Sequence, residues 1–319
     1  MADKTFTYGP DNVDQLLTTT LSAWVKDNLQ DQVFNAMPLY KKMYEKAQKI
    51  DGGASLLTPV MYAKNSTAQS YDDYDILDTT AQDGFTNTQG LWKNLAVSIA
   101  IAGPQLRKNS GSKTKVLSLL DAKTNQAVMS LRDLVSEQLF AAAPGSDDIT
   151  SLVTMIDATS TIQDVNSTNN SWWQATVTTG GSFATQGLDD MRTTNDTVDE
   201  YNPVSMTDVI ATTKAIKNYY EASLTPGIRY TPAGSGDPTF DGLRFRGAQI
   251  FSDPNATSSV IYMFSSEDLY LVINSNADYM TTPFVKPSNQ DAKVAQVLIM
   301  LQLMTRARRK LAKITTVSA

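Results

Sequence analysis

The sequence predicts an α+β protein, with helices and strands in separate stretches of the chain. Three observations predict it. Leu95, Val97, Ile99 and Ile101 alternate strictly with Asn94, Ala96, Ser98 and Ala100, which is the period of a strand with one buried face. Val116, Leu120, Ala127, Leu131, Leu134 and Leu139 recur at intervals that share one helical face through residues 112–142. Late in the chain, Gly- and Pro-rich turns separate short apolar runs at Leu243–Phe251, Val260–Phe264 and Leu269–Ile273.

The elements follow in order. The first ten residues are polar and end in Gly9-Pro10, which suits an extended arm. Asp11 or Asn12 caps a weakly amphipathic helix to about Leu29. Met37-Pro38 breaks that pattern, and Leu39–Ile50 reads as a Lys-rich helical turn. Asp51-Gly52-Gly53 is a turn, and Ser55–Tyr62 is a strand whose Pro59 places it at a sheet edge. From Ala63 to Gly90 the chain is polar, with Asp72, Asp73, Asp75, Asp78 and Asp83. A strand on each side, Ser55–Tyr62 and Leu95–Ile101, makes this a protruding hairpin, too long for a compact domain unless it has a task of its own.

Ser112 caps the long helix and Pro144-Gly145 stops it. Residues 146–200 are rich in Thr, Ser, Asn and Asp, with Trp172-Trp173 as the exception. A second helix is predicted from about Ser205 to Leu224, ended by Pro226-Gly227. Val294–Met304 is an apolar run compatible with a buried strand or helix, and Arg306, Arg308, Arg309, Lys310 and Lys313 follow it.

Composition narrows the chemistry. The 319 residues contain no cysteine and no histidine, with 27 basic and 33 acidic side chains and a formal charge of −6. No disulfide, thiol nucleophile, Ser-His-Asp triad or zinc site with nitrogen or sulfur ligands can be built. Any pH response would come from carboxylates with shifted pKa values, since histidine is the usual switch near neutrality. The N-terminus has no signal-peptide pattern, and the longest apolar run falls short of a membrane span. A soluble protein made in the cytosol is expected, with no membrane contact.

Each candidate site has a ligand-binding reading and a structural one. Tyr71–Asp78 could ligate calcium, which takes several carboxylate oxygens, or form a solvated loop tip; it lacks the glycine and terminal Glu of an EF-hand loop. Trp172-Trp173 could stack a sugar or base, or place one ring inward and one at an interface. The basic cluster could meet nucleic-acid phosphate, cap a buried element, or form half of an intersubunit salt bridge. No residue pattern argues for an enzyme, and no cofactor is expected. A carboxylate-dependent hydrolase or a glycan-binding protein using Trp172 or Trp173 is the alternative from another class.

Several stretches resemble one family. Leu91-Trp92-Lys93 before the alternating strand, Gly103-Pro104-Gln105-Leu106 after it, and Ser171-Trp172-Trp173-Gln174 are similar to major capsid proteins of tailed bacteriophages. So are Phe245–Asp253 and Asn289-Gln290-Asp291-Ala292, and so is the order of arm, polar hairpin, long helix, turn-rich segment and last apolar strand. The resemblance implies the Hong Kong 97-type fold. It divides the chain into an N-terminal arm (1–30), a peripheral domain (31–50, 93–145 with the spine helix, and 293–319 with the last strand), an extended loop (51–92) and an axial domain (146–292). Many members carry glycines shortly before the Trp-Trp step. Here Thr161-Ile162-Gln163-Asp164 stands there, which leaves the local turn open.

The resemblance implies hexamers and pentamers of an icosahedral shell around phage double-stranded DNA, assembled in the host cytoplasm. Partners would be other copies, a portal, scaffolding and decoration proteins, and DNA by non-specific contact. With only about fifty residues before the hairpin, scaffolding would be a separate protein or absent. Lys64-Asn65 is too common a dipeptide to predict a crosslink. An encapsulin-type nanocompartment is the nearest alternative. Expected intersubunit contacts are Asp72, Asp73 and Asp75 on the loop, with Lys41, Lys42, Lys46, Arg308 and Arg309 as partners. Trp24, Trp92, Trp172 and Trp173 are expected in the core or at interfaces.

Overall fold

The computed structural model describes residues 36–108, 113–201, 206–224 and 243–319. Trp24, the N-terminal arm with its helix, and the Ser112 cap lie outside the described residues. The chain divides into two compact units. One contains Ala36–Asn94, Leu134–Asn276 and Met300–Ala319, and the other includes Leu95–Asp133 and Ala277–Ile299.

The larger unit begins with helix α1 (Pro38–Glu45), started by Pro at its first turn, which buries Leu39, Tyr40 and Met43. The helical reading of Leu39–Ile50 holds only to Glu45. Gln48–Ile50 is strand β1, which the isolated apolar Ile50 does not signal. Strands β2 (Leu56–Met61) and β3 (Phe85–Gly90) pair antiparallel, from Leu56 opposite Gly90 to Met61 opposite Phe85. This corrects the expected partner: β2 pairs with β3, whereas the alternating strand β4 (Lys93–Ala102) pairs elsewhere. Phe85-Thr-Asn-Thr-Gln-Gly carries almost no apolar alternation because a two-stranded ribbon has little core to face.

Gly103–Lys108 forms α2 and Lys113–Leu139 forms α3, 27 residues or about 40 Å at 1.5 Å per residue. After α4 (Leu152–Met155), capped by Ser151, come the short pair β5 (Thr161–Ile162) and β6 (Val165–Asn166). The turn left open by the missing glycines is therefore made, by Gln163 and Asp164 at φ of 52° and 65°. Ser171–Trp173 is one 3₁₀ turn, and β7 (Thr176–Thr179) follows. A π-turn at Phe183–Gly187 leads into α5 (Leu188–Asp199), a helix hidden in the Thr/Asn-rich composition.

The predicted helix from Ser205 to Leu224 is another correction. Val209–Thr212 is strand β8, buried throughout, and only Lys214–Ser223 is helical (α6). Val-Ile-Ala is too short and too β-branched for a helical turn when both faces are covered. Next come β9 (Arg244–Phe245), β10 (Ala248–Ser252), β11 (Ile261–Phe264), β12 (Leu269–Asn274), β13 (Met280–Thr281), β14 (Ala292–Thr305) and β15 (Ala312–Thr315). A six-stranded mixed sheet runs β7-β15-β11-β8-β10-β9. Its core packs Ile210, Ile250, Ile261, Met263 and Ile314 against Phe183, Met191, Val198, Ile216 and Tyr220. The apolar run Val294–Met304 is a strand, and Leu301–Thr305 pairs antiparallel with Leu269–Ile273 of β12. β1 adds to β12 in parallel.

The smaller unit has its own core of Ile99, Ile101, Ala127 and Val297, with Leu106, Val128, Tyr279 and Phe284 against it. Two of the stretches that carried the resemblance meet here. The Gly103 N–H donates to the Asp291 carbonyl at 2.7 Å, and the Arg107 guanidinium holds the Asp291 carboxylate at 2.5 Å. That hydrogen bond lowers the pKa of Asp291. A Cβ at position 103 would lie 2.4 Å from the Asp291 carboxyl, so a larger residue would have to displace the carboxylate that Arg107 holds. Among the described residues no helix is long and apolar enough to cross a membrane.

Candidate assembly surface

The β2–β3 hairpin is built inside out. Leu57, Pro59 and Met61 of β2 and Phe85, Asn87 and Gln89 of β3 share one face, and that face is open. Beyond the strands, Tyr62–Gly84 has no core. Polar side chains hold it in shape instead. Asn65 accepts from the Thr67 N–H at 2.9 Å, Ser66 donates to Gln82 at 2.8 Å, and Gln69 donates to the Ile76 carbonyl at 3.3 Å. At the tip, the Asp75 N–H donates to the Asp72 carbonyl at 3.0 Å while the Asp72 N–H donates back to the Asp75 carboxylate at 2.9 Å. Asp72 also accepts from the Asp73 N–H at 2.8 Å. Hydrogen bonds from the Thr80 hydroxyl and N–H lower the pKa of Asp78.

Two of the three predicted aspartates thus shape the turn through their side chains. What they present is apolar. Tyr74 is 99% exposed and Ile76 93%, with Tyr71, Leu77 and Phe85 also in the open. The contacts expected here are charged, whereas the most exposed side chains are apolar. The available signal was four apolar residues, Tyr71, Tyr74, Ile76 and Leu77, inside an otherwise polar run. Exposed apolar side chains clustered on one arm mark an interaction surface.

The base of the hairpin is anchored. Gln89 donates its N–H to the Gln163 carbonyl at 3.0 Å, and Gly90 lies against Met304, where a Cβ would come within 2.3 Å of the sulfur. The Trp92 indole donates to the Gly53 carbonyl at 2.9 Å. Trp172 is half-buried with its ring 5.5 Å from that of Tyr62, while Trp173 is buried and donates to the Ile162 carbonyl. One tryptophan of the pair therefore faces inward and the other meets the hairpin of its own chain.

The predicted basic residues separate into three kinds. Lys41 is exposed and Lys42 half-buried on α1. Lys46 is engaged within the chain, pairing with Asp208 at 3.2 Å, and Arg309 lies 4.2 Å from the centre of the Tyr201 ring. Arg308 corrects the expectation of an intersubunit contact, since it is buried within the chain. Its guanidinium donates to the carbonyls of Met155, Ser160 and Thr154 and to the Ser167 hydroxyl. Burial lowers its pKa to about 10, against the opposing charge of Asp157. Asp157 accepts from the N–H and hydroxyl of both Thr159 and Ser160 and pairs with Lys313 at 3.3 Å. Burial pushes the Asp157 carboxyl up, but those hydrogen bonds and Lys313 outweigh it and hold the group well below the usual carboxylate range.

A concavity of about 460 Å³ is lined by Phe183, Leu188, Tyr219 and Ala222. Its charged pair, Arg192 and Asp189, is closed on itself at 2.9 Å. Among the described residues no three acidic side chains gather as a metal site would need.

No family model and no curated protein matches the chain. Solved structures do. The chain is similar to one from the cyanophage A-1(L) capsid asymmetric unit, with TM-score 0.68 and 13% identity over 96% of this chain and 99% of that one. It is similar to a chain from the capsid of a native GTA particle, with TM-score 0.64 and 12% identity over 98% and 100%. A chain of Mycobacterium phage Bobi gives TM-score 0.61 and 10% identity over 96% and 98%. At such identities what is shared is the fold, over 96–98% of this chain: it is α+β and of the Hong Kong 97 type.

Proposed function

We propose that this chain is a major capsid protein that assembles into hexamers and pentamers of an icosahedral shell around phage double-stranded DNA. The observation that carries the reading is the hairpin arm, whose tip exposes Tyr74 and Ile76 and has no cover among the described residues. On a monomer such an arm would be a liability; in a shell each arm gains its cover from a neighbour. The fold supports the same reading, because the similar solved chains come from phage and particle capsids.

Under this reading residues 51–92 are the extended loop lying over the next subunit. The spine helix within 93–145 belongs to the peripheral domain, and residues 146–292, with β15 completing their six-stranded sheet, to the axial domain around the local symmetry axes. Asp72, Asp73 and Asp75 face Lys41, Lys42 or Arg309 of a neighbour, around a centre of apolar contact. The shell is the virion capsid, built in the host cytoplasm with a portal and with scaffolding or decoration proteins where the phage encodes them. No catalysis is proposed.

Negative-stain microscopy of the purified chain tests this. Closed shells or capsomer rings are expected, and a monomer at every concentration would overturn the proposal. Shells purified from infected cells should hold DNA, and a protein cargo in its place would overturn the packaging part.

A further inference from the structure

The turn between β5 and β6 is built from residues that do not favour it. Gln163 and Asp164 both adopt positive φ, 52° and 65°, the geometry of a tight two-residue hairpin in which Asn-Gly or Asp-Gly is the favoured pair. Asp tolerates this region and Gln has no such advantage. A residue held in an unfavourable backbone region persists where the surrounding structure needs it.

The Gln163 side chain gives a reason. Its carboxamide is satisfied when its oxygen accepts the Thr305 N–H at 2.8 Å and its nitrogen donates to the Thr305 carbonyl and the Thr88 hydroxyl, each at 3.1 Å. The amide thus pairs with both backbone groups of Thr305, as a neighbouring strand would. Thr305 has its other side occupied, because β12 pairs there and Thr305 and Arg306 both donate to the Asp268 carbonyl. At the same time the Gln163 carbonyl accepts from Gln89 of β3. One residue therefore holds two neighbouring positions of the hairpin, Thr88 and Gln89, and the end of β14. Thr88 is fully buried and is the point where the arm enters the body.

We propose that Gln163 is the positioning residue of the hairpin arm: it fixes the direction in which the arm leaves the body by clamping Thr88 and Gln89 to Thr305. A glycine in this turn would be easier on the backbone and would keep the backbone bond to Gln89, but it would lose the side-chain bonds to Thr88 and Thr305 and loosen the arm at its base. The importance of that direction for assembly rests on the capsid reading; the clamp itself does not.

The variants are Gln163→Asn and Gln163→Gly. Both suit positive φ better than Gln, and neither reaches Thr305. The chain has no cysteine, so spin labels can be placed by Asp78→Cys at the tip and Glu267→Cys on the body. Labelled chains are diluted with unlabelled ones, so that only distances within one chain are read. In both variants the tip-to-body distance distribution should broaden, and exchange of the Thr305 N–H should quicken about fivefold, as loss of one hydrogen bond requires. A distribution as narrow as wild type would overturn the proposal, whether or not shells form. If wild-type chains form shells, the variants should give irregular ones; regular shells from a chain with a broadened arm would overturn the arm direction as a determinant of assembly. A wild-type chain that never assembles would overturn the capsid reading alone, and the distance distributions would still decide the clamp.

Discussion

The hairpin arm and the six-stranded sheet are both β structure, and they solve opposite problems. In the sheet, β8 and β11 are buried at every position, and helices α5 and α6 close over the adjoining side chains. In the arm, among the described residues, β2 and β3 pair only with each other and leave Leu57, Met61 and Phe85 open. A two-stranded ribbon is marginal in water by itself. The sheet is therefore ordered by its own contacts, whereas the arm is ordered by polar turns along its length, by its anchored base and, in the proposed shell, by a neighbour. Stability and assembly should separate cleanly between the two regions.

The largest effect should come from the polar hub beside the sheet. Arg308→Met removes the donor for three carbonyls and one hydroxyl, all inside the chain. It should lower subunit stability by about 3–5 kcal/mol, the scale of breaking a buried charged network. Urea unfolding of unassembled subunits measures this, and a loss below about 1 kcal/mol would contradict the assignment of Arg308 to the interior.

The arm should show the reverse pattern. Tyr74→Ala with Ile76→Ala should leave subunit unfolding within about 0.5 kcal/mol of wild type, since both side chains are exposed. Assembly should weaken by about 2 kcal/mol, near 30-fold in the protein concentration required, if they are anchoring residues. Light scattering during assembly reads this directly. Reversing the charges of Asp72, Asp73 and Asp75 together should also impair assembly, both by losing pairing and by disturbing the turn that presents Tyr74. Particles of unchanged yield and thermal stability would remove these carboxylates from the contact.

Asp157→Asn should cost about 1–2 kcal/mol at neutral pH. Its folded pKa lies below the ordinary value, so the carboxylate stabilises the fold fully above about pH 4 and loses that contribution as pH falls further. Wild-type and variant unfolding curves should therefore converge in acid. The smallest effect has the opposite sign. Burial raises the pKa of Asp199, although Arg246 and Asn195 oppose it, and one carboxylate oxygen is buried without a partner. A raised carboxyl stabilises the fold in its protonated form and detracts once ionised. Asp199→Asn should gain up to about 1 kcal/mol at neutral pH, and the gain should shrink below about pH 4.

Legibility in the sequence followed burial. The long helix and strand β4 were readable because each has one buried face and keeps a strict period. Strand β8 was misread as the start of a helix because both its faces are covered and no period remains. Helix α5 was missed because Thr, Asn and Asp fill it, leaving Met191 and Val198 as its few core contacts. Strand β3 was missed for the opposite reason, since a ribbon in solvent needs no apolar pattern. Of the candidate surface, the arm was legible from its length and polarity. Its apolar tip was in plain view but outweighed by the five aspartates around it.

By itself the sequence determined the class of fold, the order of its parts and the chemistry excluded by a chain without cysteine or histidine. Those follow from local pattern and residue type, which need no partner to be read. The tertiary structure decided which charges are spent inside the chain, which strand partners β2, and why a glycine-free turn carries Gln163. Those depend on which distant residues meet. Arg308 looks like any surface arginine until Met155, Ser160 and Ser167 are found around it, and Gln163 looks like any polar loop residue until Thr305 and Thr88 lie beside it.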